Sequence, residues 1–352
     1  MGSLPLVPNP KVSDDPGTSM PSRRTPLTLF AFVALALTIH AARVMAQRIL
    51  GMATLAPPGS TWMRTFDAAN RELRRRTGGA LALRWYAGGV QGDEAEVVRK
   101  IRVGRLDGAA LMATGLGQIH RPVMAFQLPA MFQSAPQFIR AYAALAPEIE
   151  RSFDRAGFSL ITFGPATGAR MFSQREIRTP EDLRASRPWR WPDDPILPAL
   201  YQEVGAVGVP LQIPEVVGAL QTHRVDTVFA SPLAAIALQW SAHVQFMSSQ
   251  PASGSLGGIV LSHAAYASLP TDHQRVLREV CLQFGQLLLR NVQRDEATAL
   301  QALAQHGVRT VTVDDATRAR WLAVFSRVRA RLTGVIADAA WMERVRTAGG
   351  AP

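Results

Sequence analysis

The chain has one cysteine, Cys281, and two lysines, Lys11 and Lys100, in 352 residues. A lone cysteine excludes an intramolecular disulfide and a cysteine-based zinc site. With so little lysine, the formal charge of +11 is carried by arginine. The arginines are scattered and no nucleic-acid-binding motif accompanies them, so the charge reads as composition bias and not as a nucleic-acid surface. No histidine pair has metal-ligand spacing, and there is no G-x-S-x-G word, no P-loop and no G-x-G-x-x-G after a strand. Asp93-Glu94 and Asp193-Asp194 are acidic pairs, but each opens a helix, where capping accounts for them. No metal, no cofactor and no catalytic constellation is expected. The remaining composition, 47% hydrophobic and 18% charged, is that of a globular protein of one large or two smaller domains.

The N-terminus reads as an export signal. Arg23 and Arg24 precede an apolar run from Leu27 to Ala42, and Val44-Met45-Ala46 places small residues at the −3 and −1 positions. The run is shorter than the ~20 residues a spanning helix needs. Cleavage is expected after Ala46, with residues 1–19 an over-extended start before Met20. No cysteine lies near the site, so no lipid anchor is expected.

From Ile49 onward strands and helices alternate. Ile49–Leu55 reads as a buried strand. Trp62, Phe66, Ala69 and Leu73 recur at helical spacing behind Ser60 as a cap. Ala80–Tyr86, a helix over Asp93–Val103 and a strand over Asp107–Ala113 complete a βαβαβ order, which argues for an open α/β sheet. A strand near Phe158–Phe163 closes this part. A second α/β unit starts near Ala169 with short strands at Met171–Ser173, Trp189–Trp191, Val207–Pro210 and Val225–Ala230. Pro251–Gly258 reads as a flexible link into a strand over Gly258–Ser262. Thr271-Asp272-His273-Gln274 looks like a capping box opening a helix of roughly 35 residues, long enough to bridge both units.

These elements carry specific words: Ala53-Thr54-Leu55-Ala56-Pro57-Pro58-Gly59-Ser60, Tyr86-Ala87-Gly88-Gly89-Val90-Gln91-Gly92-Asp93-Glu94, Leu106-Asp107-Gly108-Ala109, Thr179-Pro180-Glu181-Asp182-Leu183 and Ala219-Leu220-Gln221-Thr222. In this order, from about residue 49 to about 315, the chain resembles the DctP-like solute-binding subunit of a TRAP transporter, in the branch marked by Trp-x-Trp-x-x-Asp-Pro. The resemblance implies a two-lobe α/β clamshell with a long helix across both lobes. It also implies a periplasmic receptor that hands a small organic acid, or an apolar or amphipathic ligand, to an ion-gradient-driven membrane permease, with no catalysis. A sensor feeding a membrane signalling protein is the alternative. Lobe one is expected over residues 47–168 plus about 257–290, and lobe two over 169–256 plus about 291–352.

The resemblance also nominates ligand-binding residues. Arg190, in Arg190-Trp191-Pro192, overlays the family's carboxylate-clamping arginine, whose planar fork suits two parallel hydrogen bonds. Arg170 matches a Gly-x-Arg word at the lobe crossover. Trp189 and Trp191 lie on one side of their strand and Arg190 on the other, so tryptophans that face the cleft turn Arg190 away from it. Ser231 stands where relatives carry an Asn-Pro word. Trp62, at a helix start, and Thr114, at a strand end, are the lobe-one counterparts. Asp194 is expected to cap the helix that follows it.

Overall fold

The computed structural model describes residues 47–350. The expected signal segment and its cleavage site lie outside the described residues. Strand β1 (Arg48–Ala53) pairs in parallel with β2 (Leu81–Tyr86) and β3 (Gly108–Met112), with helices α1 (Thr61–Arg76) and α2 (Glu94–Arg102) as the crossovers. Ser60 caps α1 by accepting the Met63 N–H. Asp107 joins β1 to β3: its carboxylate takes the Gly51 N–H at 2.8 Å and the Arg48 guanidinium at 2.7 Å. At the next position only glycine fits. A Cβ on Gly108 would sit 2.3 Å from the Val260 carbonyl oxygen of the antiparallel neighbour of β3.

Two elements tie the lobes together. Strand β4 (Phe158–Ser173) runs for 16 residues. Its first part pairs with β9 (Ser253–Ser262), and its last residues pair with β7 (Thr227–Ala230) and β8 (Phe246–Ser248). The full order is β10-β8-β4-β9-β3-β1-β2, with β7 also on β4 and β10 over Arg309–Val311. The two strands expected at 158–163 and 171–173 are therefore one. Pairing continues through Gly164 with Gly257 and Pro165 with Leu256, with register shifts between Leu160 and Thr162 and between Ala166 and Ala169. The link expected at 251–258 is strand from Ser253, because its small residues lie against β3 and β4.

Eight further helices complete the framework used below: α3 (Ala113–Gly117), α4 (Ala135–Arg155), α5 (Pro180–Arg184), α6 (Ile196–Val204), α7 (Val216–Gln221), α8 (Pro232–Ala237), α9 (His263–Ala267) and the long α10 (Thr271–Gln305). Helix α10 has the expected 35 residues, but its N-cap is Pro270, and Gln274 reaches back to the Leu269 carbonyl instead of closing a capping box. It packs against α1, β4 and α8. Two adjacent acids fasten it to both sides. Asp295 accepts the Thr61 hydroxyl of α1 at 2.7 Å, and Glu296 accepts the Leu233 N–H of α8 at 3.2 Å. Two C-terminal helices follow: α11 (Asp315–Leu332) lies on α6, and α12 (Ala339–Ala348) on α4. Among the described residues no helix is long and apolar enough to cross a membrane.

Candidate functional site

A cavity of about 610 Å³ opens between the C-terminal ends of β1 and β3 on one side and the Trp189 strand on the other. Its size is that of a small-molecule pocket. Five of the seven nominated residues line it: Trp62, Thr114, Trp189, Trp191 and Ser231. The short strand β5 (Trp189–Arg190) pairs in parallel with β6 (Val209–Pro210). Trp189 is 3% exposed, and its indole N–H donates to the Leu211 carbonyl at 2.8 Å. It is both a wall of the cavity and a member of a core cluster with Trp240, whose ring meets it edge-on at 5.3 Å. Ser231 caps α8, accepting the Ala234 N–H at 3.1 Å.

The two nominated arginines do not line the cavity. Arg190 lies on the opposite side of its strand from the tryptophans, where its charge bears on Asp194 and Tyr201. Arg170 is turned toward the end of β8. Its guanidinium donates to the carbonyls of Ser248, at 3.0 Å, and Ser249, and it faces Glu296. Arg170 is thus spent on the protein's own carbonyls.

The ionisable residues that do line the cavity were not nominated. No arginine, lysine or histidine is among them, and the acids are Glu94 and Asp194. Glu94 does not cap its own helix. Its two carboxylate oxygens take the N–H groups of Met112 and Gly115, each at 2.7 Å, across the start of α3. Burial pushes its pKa up to about 8, against the pull of those two N–H donors. Asp194 lies just before α6 and accepts the Ile196 and Leu197 N–H groups at 2.8 and 3.1 Å. Burial pushes it up to about 6, with Arg190 opposing. Asp93 caps α2 with one oxygen, at 2.7 Å from the Glu94 N–H. Its other oxygen accepts the Trp191 indole N–H at 2.7 Å and the Ile213 N–H at 3.4 Å. The helix-capping reading of this acidic pair thus accounts for one oxygen in four.

Much of the rest of the lining is apolar, with Leu83, Trp85 and Phe66 from β2 and α1 and Phe284, Leu288 and Val292 from α10, and it also holds uncharged polar side chains, among them Thr54, Gln127, Tyr142, Thr162, Ser255 and Gln286. Cys281 also lines it, with a thiol that burial pushes up to about 12 and so leaves unreactive. Among the described residues no group of His, Cys, Asp and Glu gathers as a metal site.

An α/β clamshell with a cavity at the strand ends and a helix joining both halves defines an extracytoplasmic solute receptor, here of the TRAP type. Residues 52–333 match the family model for bacterial extracellular solute-binding protein, family 7 (DctP), and the chain belongs to that family. A solute-binding protein of Verminephrobacter eiseniae is 24% identical over 288 residues, covering 80% of this chain and 84% of its own. The sugar-acid-binding protein of Advenella mimigardefordensis, solved with galactonate, superposes with a TM-score of 0.81 at 12% identity, over 86% of this chain and 98% of its own. A TRAP periplasmic solute-binding protein of Ralstonia eutropha, solved with (S)-2-acetolactate, gives 0.80 at 17% identity, over 86% and 98%. A Bordetella pertussis receptor binding pyroglutamic acid gives 0.79 at 16% identity, over 86% and 99%.

Proposed function

We propose that this receptor binds an uncharged, largely apolar solute and delivers it to a TRAP permease, and that it carries out no chemistry on that solute. One observation carries the reading: a cavity of about 610 Å³ with no cationic side chain in its walls and two buried carboxyl groups in them. A carboxylate ligand entering it would lose its hydration, meet no guanidinium, and add a third acidic group. An apolar body would instead bury its surface against tryptophan, phenylalanine and leucine, at roughly 25 cal/mol per Å² removed from water. The solved relatives named above hold galactonate, acetolactate and pyroglutamic acid. This chain departs from that pattern through the arginines it turns away.

Of the nominated residues, Trp62, Thr114, Trp189, Trp191 and Ser231 are assigned to the ligand site, and Arg170 and Arg190 to the framework. Residues 1–46 are assigned to a cleaved signal peptide that brings the protein to the periplasm. Lobe one takes residues 47–168 and about 257–290, and lobe two takes 169–256 and about 291–338. Helix α12, which packs on α4, goes with lobe one.

The test is a thermal-shift panel of acids paired with their methyl esters, on protein freed of co-purified ligand. A solute at 100 times its Kd stabilises the fold by about 2.7 kcal/mol. Esters that stabilise where their acids do not support the reading. Acids that stabilise where esters do not overturn it.

A further inference from the structure

The long helix α10 carries a glycine that its framework does not require. The backbone at Gly285 is helical and not left-handed. A methyl group built on it would touch the Thr162 hydroxyl of β4 at 3.4 Å, with open space otherwise. Close approach of another chain, which explains Gly108, does not explain Gly285. Glycine is among the least favourable residues in a helix interior. What Gly285 does border is the cavity.

The cavity follows this side of α10. Cys281, Gly285, Leu288 and Val292 recur at helical spacing on one face, and all four line it. From Cys281 to Val292 the helix rises roughly 16 Å at 1.5 Å per residue. The two ends of the stretch are covered by protein, with Cys281 4% and Val292 3% exposed. Between them Phe284, Gly285, Leu288 and Leu289 are only half-buried. An apolar face inside the molecule is thus left partly uncovered over its middle turns, and hydrocarbon placed there would remove that surface from water. Gln286 and Thr162 are the polar side chains beside Gly285. Other uncharged polar groups of the wall belong to other elements: Thr114 to α3, Tyr142 to α4 and Ser255 to β9. A ligand with a polar end has partners there while its body lies on α10.

We infer that Gly285 is a specificity-determining residue: by carrying no side chain it keeps open the part of the cavity in which the alkyl body of an elongated ligand lies along α10. The inference rests on the apolar-ligand reading above and adds to it the shape of the ligand and the residue that gauges it.

The test uses exported protein freed of co-purified ligand, with methyl hexanoate, methyl octanoate, methyl decanoate, methyl dodecanoate and galacturonate as probes. Binding is followed by tryptophan fluorescence. In wild type each added methylene is expected to tighten binding about fourfold, until the slot is full. Gly285→Ala is expected to raise the melting temperature of the empty protein by about 2 °C, because alanine suits the helix better. It is also expected to weaken methyl dodecanoate several-fold. Gly285→Leu is expected to weaken methyl dodecanoate more than tenfold and to leave methyl hexanoate, whose chain is too short to reach Gly285, unchanged. The rival role for this glycine, a flexible point in a helix that joins both halves, predicts an equal loss for every ester. Equal losses therefore overturn the inference. So do affinities that the two substitutions leave unchanged, affinities that do not rise with chain length in wild type, or a lower melting temperature in Gly285→Ala. In each of these cases, bound esters leave the apolar reading standing. Binding of galacturonate with none of the esters overturns both, and binding of no probe overturns the slot.

Discussion

The outside of the molecule and the walls of its cavity use charge in opposite ways. Outside, arginines pair with acids along the helices: Arg318 with Asp315, Arg327 and Arg331 with Glu203, Arg275 with Glu279. Inside, the cavity has no cation, and its two acids are engaged by backbone N–H groups. The contrast teaches that net charge describes the solvated face and not the ligand. The formal charge of +11 has no counterpart in the cavity, where no wall residue is a cation.

The largest expected effect that separates the two regions comes from Trp189→Ala. The side chain is core and cavity wall at once, so its loss is expected to lower stability by about 3–5 kcal/mol and to abolish ligand-induced stabilisation. Thermal unfolding with and without ligand reads both.

Next is a pH effect set by Glu94. Its folded pKa of about 8 lies above the unfolded value of 4.5, so the folded state holds a proton that the unfolded chain releases. Stability is therefore highest below about pH 4.5 as far as this group is concerned, and falls by a few kcal/mol as the pH rises toward 8. Asp194 acts in the same direction up to about pH 6. Glu94→Gln is expected to flatten the fall between pH 6 and 8 in a series of melting curves. An unchanged slope would place the proton elsewhere.

Trp191→Phe removes the donor that reaches Asp93 across the cleft and leaves a smaller aromatic ring in its place. The closed form is expected to lose about 1 kcal/mol, seen as a several-fold weaker Kd by calorimetry, with little change in the melting temperature of the empty protein. The smallest effect belongs to the outside. Arg318→Ala breaks an exposed pair and is expected to move the melting temperature by under about 2 °C and to leave ligand affinity alone.

The sequence was readable where the determinants are local. Ser60 caps the helix it precedes, and the helix of 35 residues that joins both halves lies where the spacing put it. Strand alternation separated Trp189 and Trp191 from Arg190. Legibility stopped where a side chain acts far from its own element. Glu94 sits at a helix start, and nothing nearby in sequence shows that its oxygens serve Met112 and Gly115. Arg170 carries the family word, but its direction is fixed by the Ser248 and Ser249 carbonyls that β4–β8 pairing brings within reach. The long strand β4 was expected as two short strands, and only its pairing with β9, β7 and β8 joins them into one.

The claim that a cavity without cations selects a neutral solute is tested most directly by what the protein carries out of the periplasm. Native mass spectrometry of freshly exported protein, followed by release and identification of the bound molecule, gives the answer without a chosen panel. The account predicts an uncharged, largely apolar compound. A hexuronate or another small polar carboxylate, bound one per chain and retained after Arg170→Ala and Arg190→Ala, would contradict it.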